Sequence, residues 1–188
     1  MKDPELVERI AAAEFDRAAI LRTFPSEVTD VPTPFYRTAR VVDVEVATEV
    51  GPIRYRYGLH GDAMIRLGDR PEQVFSLNQR EGLRLSRDGV RPYVRFFFDS
   101  VGERKMRIVE RESEIPWRKR GADEPEPPAP RPVPRQVSVE PLGPGFRAVA
   151  TATWNAALVE LELDVAPDGQ VKPLGHRMIE QHLDVVPA

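Results

Sequence analysis

Three histidines are the side chains in this sequence best suited to proton transfer or metal binding: His60, His176 and His182. His60 lies in the stretch Gly-Leu-His-Gly-Asp, a glycine-flexed turn in which Asp62 could orient the ring as a general base requires. The competing interpretation is that a turn histidine beside an aspartate is only solvated. His60 and Asp62 are therefore the candidate catalytic residues.

Metal and cofactor sites are not indicated. The chain has no cysteine, which excludes thiolate metal sites, disulfides and a cysteine nucleophile. His176 and Glu180 would share one face of a predicted C-terminal helix, but two ligands do not make a site and no third is identified. No phosphate loop, serine nucleophile elbow or zinc-protease motif is found. We therefore predict no metal and no cofactor, and the sequence favours a protein that is not an enzyme.

The most unusual cluster of aromatic and arginine side chains lies in residues 91–98, which read Arg-Pro-Tyr-Val-Arg-Phe-Phe-Phe. As a strand, this stretch places Tyr93, Arg95 and Phe97 on one face and further large apolar side chains on the other. One face would be core, and the second must be covered by the N-terminal helix, the C-terminal segment, another subunit or a ligand. Tyr93, Arg95 and Phe97 are thus the candidate interaction surface. The same residue types could stack single-stranded bases, but the glycines of the RNA-binding strand signature are missing.

The elements that hold these residues follow from the spacing of apolar positions. Residues 3–24 repeat them every three to four positions, with Asp3 as N-cap and Pro4 as first residue, which predicts an amphipathic helix. A proline-punctuated connector, 25–34, follows, and the period then becomes two. Short antiparallel strands separated by glycine turns are predicted at 42–46, 53–57, 64–67, 74–77, 83–85, 93–98 and 106–109.

Residues 121–134 contain six prolines and no aromatic side chain, which predicts a proline-rich linker or a long extended loop. Three strands are expected beyond it, at 137–139, 146–154 and 159–165. Glu160, Glu162 and Asp164 would line the solvated face of the last strand. Residues 175–183 could form a short closing helix.

These elements predict an α+β fold. It consists of an N-terminal amphipathic helix, a mainly antiparallel sheet curled into a barrel or sandwich, and a C-terminal β-hairpin with a short helix. The predicted domains are 1–120, a helix plus an antiparallel β domain; 121–134, the linker; and 135–188, a small β-segment. A segment of this size is thin for an independent fold, so it should pack on the first domain or on another subunit.

Composition further restricts the functional class, the location and the source of the protein. The net charge is −3, and a strongly basic domain, the usual footprint of nucleic-acid binding, is absent. No apolar run is long enough for a membrane span, so a cytoplasmic location is expected. The choice of 23 arginines against 4 lysines indicates a GC-rich, bacterial source.

A non-catalytic interaction or assembly module is the leading functional hypothesis, with a protein partner or self-association. One alternative is a small-molecule binding protein or enzyme with a barrel pocket near His60. The second alternative is a single-stranded nucleic-acid binder that uses an arginine and aromatic sheet face.

Overall fold

The computed structural model describes residues 3–68, 70–101, 106–118, 133–183 and 185. The chain divides into two compact units, Met1–Leu83 and Arg84–Ala188, called here the N-terminal unit and the C-terminal unit. The predicted first domain ends at residue 120. The first compact unit ends at Leu83, ahead of a helix whose residues were predicted as a strand.

The N-terminal unit is built on an antiparallel sheet whose strands lie side by side in chain order, β1-β2-β3-β4. Each connection is therefore a hairpin or a short loop between neighbouring strands. The described elements of this unit are α1 (Pro4–Ala13), α2 (Ala18–Thr23), β1 (Ser26–Val31), β2 (Arg40–Thr48), β3 (Gly51–His60), β4 (Ala63–Leu67) and α3 (Pro71–Glu81).

The predicted N-terminal helix is present, but it is broken into α1 and α2 between residues 14 and 17. The Asp3 carboxylate accepts a hydrogen bond from the Leu6 amide at 3.1 Å and caps α1 as the sequence predicts. Leu6 and Ile10 of α1 pack with Leu21 of α2 in one core against the valines of β2. The break lets both short helices turn an apolar side to the sheet. The predicted connector over 25–34 contains β1, which pairs with β2.

Residues 74–77, predicted as a strand, belong to helix α3. The buried positions of α3 are Val74, Leu77, Asn78 and Glu81, a spacing of three and four residues that follows one face of a helix. Residues 83–85, also predicted as a strand, lie outside the strands of the sheet. The helix period was missed because two members of the stripe are polar.

Close approach between α3 and β3 depends on Gly58. A Cβ atom at this position would lie 2.4 Å from Cδ2 of Leu77, which is fully buried. Since real carbon atoms do not approach so closely, any larger residue at position 58 would require the buried Leu77 side chain to shift. This contact sets the position of the C-terminal turn of α3, which ends at Gly82 in a left-handed conformation.

The C-terminal unit contains one long helix and a second antiparallel sheet, in the order β5-β7-β8-β9, with β6 also paired to β7. Its described helix and strands are α4 (Arg87–Ser100), β5 (Met106–Ile108), β6 (Ser138–Leu142), β7 (Gly145–Trp154), β8 (Ala157–Val165) and β9 (Val171–Glu180). β5 comes from the predicted first domain and pairs with β7 of the predicted C-terminal segment, so one sheet joins the two.

The predicted strand over residues 91–98 is wrong, because these residues form most of α4. Ser86 caps the helix by accepting a hydrogen bond from the Gly89 amide at 3.3 Å. Val90, Tyr93, Val94 and Phe97 then recur at three and four residues on the buried side. Tertiary burial of this stripe overrides the strand preference of the aromatic side chains.

The predicted closing helix over residues 175–183 is also wrong, because β9 occupies most of this stretch and pairs with β8. His176 and Glu180 therefore do not share a helix face. The predicted strands beyond the linker are present as β6, β7 and β8. Residues 121–132, most of the predicted linker, lie outside the described residues.

The fold is thus α+β with mostly antiparallel sheets, as predicted. Over the described residues neither sheet closes into a barrel, because β1 and β4 remain the outer strands of one sheet and β9 an outer strand of the other. Among the helices described here, none is both long enough and apolar enough to cross a membrane.

Candidate functional site

His60 and Asp62 lie where the chain turns from β3 into β4. His60 is the last residue of β3 and pairs with Ala63, so that Gly61 and Asp62 form the turn. Asp62 is exposed, and no hydrogen bond or ion pair joins it to His60 within the described part of the chain. The carboxylate nearest the ring belongs to Glu81, whose Oε2 lies 3.7 Å from His60 Nε2.

Glu81, at the end of α3, is a buried carboxylate that the sequence analysis did not identify. Its Oε1 accepts hydrogen bonds from the Arg37 and Thr38 amides at 2.6 and 3.0 Å. Its Oε2 accepts from Thr38 Oγ1 at 2.7 Å and from the Ala39 amide at 2.8 Å. Burial alone would raise the pKa of Glu81, but the bonds from Thr38 and from the three amides lower it to about 2. The carboxylate is therefore ionised at every physiological pH.

This arrangement fastens the loop between β1 and β2 to α3. Four donors already use the lone pairs of the Glu81 carboxylate, so it is a poor acceptor for a further proton at neutral pH. Its neighbour on the same helix face, Asn78, accepts a 2.6 Å hydrogen bond from the buried Tyr36 hydroxyl. The cluster beside His60 is thus organised as a structural clamp, in which the Thr38 hydroxyl and the His60 ring approach the same carboxylate oxygen, Glu81 Oε2, at 2.7 and 3.7 Å.

The C-terminal unit offers a different kind of site, which begins with three alanines on β7. Ala148, Ala150 and Ala152 face the same side of the sheet and are almost fully buried. α4 packs mainly on β5, β6 and β7, where these small side chains leave room for its aromatic residues. The apolar side of β8, with Leu161 and Leu163, extends beyond the helix toward β9.

An apolar groove of about 380 Å³ lies between α4 and β9. Phe97 and Phe98 of α4 form one wall, Leu161 and Leu163 of β8 contribute to the floor, and β9 forms the other wall. Its remaining lining residues include Met106, Trp154, Leu174 and His176. The edge of the His176 ring meets the Trp154 ring, with centroids 6.1 Å apart. We call this feature the α4–β9 groove.

β9 is the outer strand beside this groove, and it is exposed at every position from 172 to 180. Its apolar side chains include Leu174, 52% exposed, Met178, 41% exposed, and Ile179, 39% exposed. Register shifts relative to β8 make Leu174 and Ile179 the extra residues of two β-bulges. Apolar side chains are therefore presented along an edge that no other described strand pairs with.

The predicted interaction surface, Tyr93, Arg95 and Phe97, is not one face in the structure. Tyr93 is fully buried, and its hydroxyl donates a 2.6 Å hydrogen bond to the Gly169 carbonyl. Phe97 lines the groove. Arg95 points elsewhere and forms ion pairs with Glu114 and Glu110, because residues two apart on a helix lie on nearly opposite sides.

Arg91 and Arg95 belong to an ion-pair network with Glu110 and Glu114. Arg91 binds both carboxylate oxygens of Glu110, at 2.8 and 3.0 Å. Burial raises the pKa of Glu110, but the Arg91 bonds, the Val137 amide and the nearby charges outweigh burial, and the net pKa is lowered. The network joins α4 to the segment after β5. The charges of Arg91 and Arg95 are therefore balanced by acidic residues of the same unit.

Two strand arginines that could have contributed to a nucleic-acid face, Arg54 and Arg56, are also engaged with acidic partners. Arg56 holds both oxygens of Asp43, at 2.7 and 2.9 Å, and Arg54 bonds Glu45 at 2.8 Å. The predicted wet face of β8 is present, and there Arg147 and Arg177 pair with Glu162 and Glu160. Neutralised arginines of this kind add little to phosphate binding.

No group of three or more His, Asp or Glu residues suited to a metal ion occurs in the described ranges. Comparison of the chain with protein-family models, with curated proteins and with solved structures finds no match.

Proposed function

We propose that the protein is a non-catalytic assembly module that binds a second copy of itself through β9 and the adjoining α4–β9 groove. The observation that carries this proposal is the exposure of β9 itself. A ten-residue edge strand with apolar side chains is a template for pairing with another chain. Lys172, Pro173 and the two bulges weaken this tendency in β9, so we expect the pairing to be weak and reversible.

The size of the exposed apolar surface sets the expected affinity. Trp154, Leu174, Met178 and Ile179 are each 38–52% exposed, and burying the exposed half of such a side chain contributes on the order of 1 kcal/mol. Four side chains on each of two copies give roughly 8 kcal/mol before the cost of association, and strand pairing adds main-chain hydrogen bonds. We therefore expect a reversible dimer with a dissociation constant in the micromolar range or weaker.

The two alternative functions, a small-molecule or enzyme site near His60 and nucleic-acid binding, have less support. The α4–β9 groove is lined by residues of the C-terminal unit, and His60 is not among them. The carboxylate beside His60 is saturated with donors. Arg54 and Arg56, two arginines suited to a nucleic-acid face, are paired with acids.

Sedimentation of the full chain tests the proposal. The wild type should change from monomer to dimer as its concentration rises from about 1 μM to several hundred micromolar. Met178→Lys should shift this transition to higher concentration, because a charge would have to be buried at the interface. Leu142→Lys is the matched control, since Leu142 is also 41% exposed but lies at the end of β6.

A wild type that sediments as a monomer at every concentration would refute the proposal. Equal weakening by Met178→Lys and Leu142→Lys would refute the assignment of the surface to β9.

A further inference from the structure

We propose that the two copies pair β9 with β9 in antiparallel orientation about a two-fold axis that passes through His176. This inference rests on the proposed function and specifies its partner and register. In an antiparallel pair of identical strands, positions equally distant from the axis on either side lie opposite one another. The order of residues along β9 therefore determines which side chains meet.

Charge complementarity selects the position of the axis. With the axis at His176, Lys172 of each copy lies opposite Glu180 of the other, so two attractive pairs flank the centre. The same register places Leu174 opposite Met178, again twice. Lys172 thus meets a residue of opposite charge and Leu174 meets an apolar residue, while Arg177 lies opposite Gly175 and Ile179 opposite Pro173.

Neighbouring registers lose this match. An axis at Gly175 would place Lys172 opposite Met178, and an axis at Arg177 would place Glu180 opposite Leu174. Each alternative buries a charge against an apolar side chain, which is unfavourable. Of these three registers, only the axis at His176 pairs Lys172 with Glu180 and Leu174 with Met178.

The distribution of these side chains over the two faces of the sheet is also consistent with this register. Lys172 and Glu180 lie beside Asp164 and Leu158 of β8, which are an even number of residues apart and so share the face away from the groove. His176 and Met178 lie beside Leu161 and Val159, on the groove side. Pairing about His176 therefore keeps the ion pairs on one face and the apolar contacts on the other.

A two-fold axis perpendicular to the sheet places both α4–β9 grooves on the same side of one continuous sheet. Each groove is then bounded by its own α4 and opens toward the second copy across β9. The Trp154 ring, in contact with His176, lies next to this junction. The exposed apolar side chains of both copies become the floor of one shared trough.

Cysteine cross-linking tests the register directly, because the natural chain has no cysteine and every variant carries a single thiol. His176→Cys should form a disulfide-linked dimer on mild oxidation. Residues at the centre of an antiparallel pair have Cα atoms about 4.5–5.5 Å apart, within the range that a disulfide spans. Lys172→Cys is the control: the two copies of position 172 would be about 26 Å apart along the strands and should not be linked. A mixture of Lys172→Cys and Glu180→Cys chains should form the linked heterodimer.

Charge exchange gives a second measurement that does not depend on oxidation. Lys172→Glu and Glu180→Lys should each weaken the dimer, by roughly threefold to thirtyfold, since two pairs change sign at once. The double variant restores both pairs with their polarity reversed, and its dissociation constant should return to near the wild-type value.

The outcomes separate the two proposals. A concentration-dependent wild-type dimer in which His176→Cys is not linked, or in which the double charge variant remains weakened, overturns the register and leaves self-association in place. Monomeric wild type at all concentrations overturns both. Efficient linking of Lys172→Cys alone would also overturn the register.

Discussion

Replacing Glu81 with glutamine should destabilise the N-terminal unit, and the loss should depend on pH. The pKa of this carboxyl falls from an ordinary 4.5 to about 2 in the folded protein. At about 1.4 kcal/mol for each tenfold change in proton affinity, the ionised carboxylate contributes about 3 kcal/mol to the stability of the fold. The glutamine side chain cannot accept all four hydrogen bonds that Glu81 receives, because its amide nitrogen is a donor.

The direction of the pH dependence follows from the lowered pKa. A group that binds its proton more weakly in the folded state than in the unfolded state contributes its full stabilisation above the unfolded value, about 4.5. That stabilisation is lost as the pH falls from about 4.5 toward 2. The wild type and Glu81→Gln should therefore differ by about 3 kcal/mol at pH 7 and become similar near pH 2.

Denaturant unfolding followed by far-ultraviolet circular dichroism, at a series of pH values, measures the global effect. Amide hydrogen exchange at Arg37, Thr38 and Ala39 gives the local effect, since these amides donate to Glu81. Their protection should fall in Glu81→Gln. Glu72→Gln is the control, because Glu72 lies on the same helix and is exposed.

Two results would refute this reasoning. A difference between wild type and Glu81→Gln that is as large at pH 2 as at pH 7 would show that the charge of Glu81 is not the source of its effect. Unchanged exchange at the three amides would show that the loop is held by other contacts.

Three further changes have expected outcomes. Gly58→Ala should lower the free energy of unfolding, measured with denaturant, by about 1–3 kcal/mol, because the new methyl group collides with Leu77. Adding Leu77→Ala should restore no more than part of this loss. A Gly58→Ala variant as stable as the wild type would contradict the packing argument. Tyr36→Phe should cost about 1–2 kcal/mol by the same measurement, because it leaves the buried amide oxygen on α3 without its hydroxyl donor. Arg91→Met should raise the pKa of Glu110, measured by nuclear magnetic resonance titration; an unchanged titration would exclude Arg91 as a cause of the lowered value.

The sequence was sufficient to predict an element wherever the period of its apolar residues coincided with the period of burial. β2 alternates Val42, Val44 and Val46 with acidic residues, and the structure buries these valines in the core of the N-terminal unit. The Asp3 cap and the three strands beyond the linker were predicted for the same reason. These features depend on local chemistry and on which side of an element faces water.

The errors occurred where distant partners decide the conformation. Residues 93–98 have the composition of a strand, yet a capped helix buries them against the alanines of β7. Residues 175–180 have no strong period of either kind, and pairing with β8 makes them extended. Sequence alone does not show which neighbour a segment will have.

The polar clamp was missed for a related reason. Asn78 and Glu81 continue the helical stripe of Val74 and Leu77, but a pattern of apolar positions does not include polar residues. A carboxylate on the core side of a helix indicates that hydrogen-bond donors from elsewhere in the chain contact it. The loop at residues 37–39 supplies them. The carboxylate that lies 3.7 Å from His60 Nε2 belongs to Glu81.

The order of strands also bears on how the chain folds during synthesis. In the N-terminal unit each strand pairs with the strand made just before it, so its sheet can form progressively as the chain emerges, with little loop-closure entropy at each step. In the C-terminal unit β6 to β9 form in the same sequential way, but β5 pairs with β7 across the whole segment between them. β5 must therefore wait for β7, and we expect it to join its sheet only after β7 has been made.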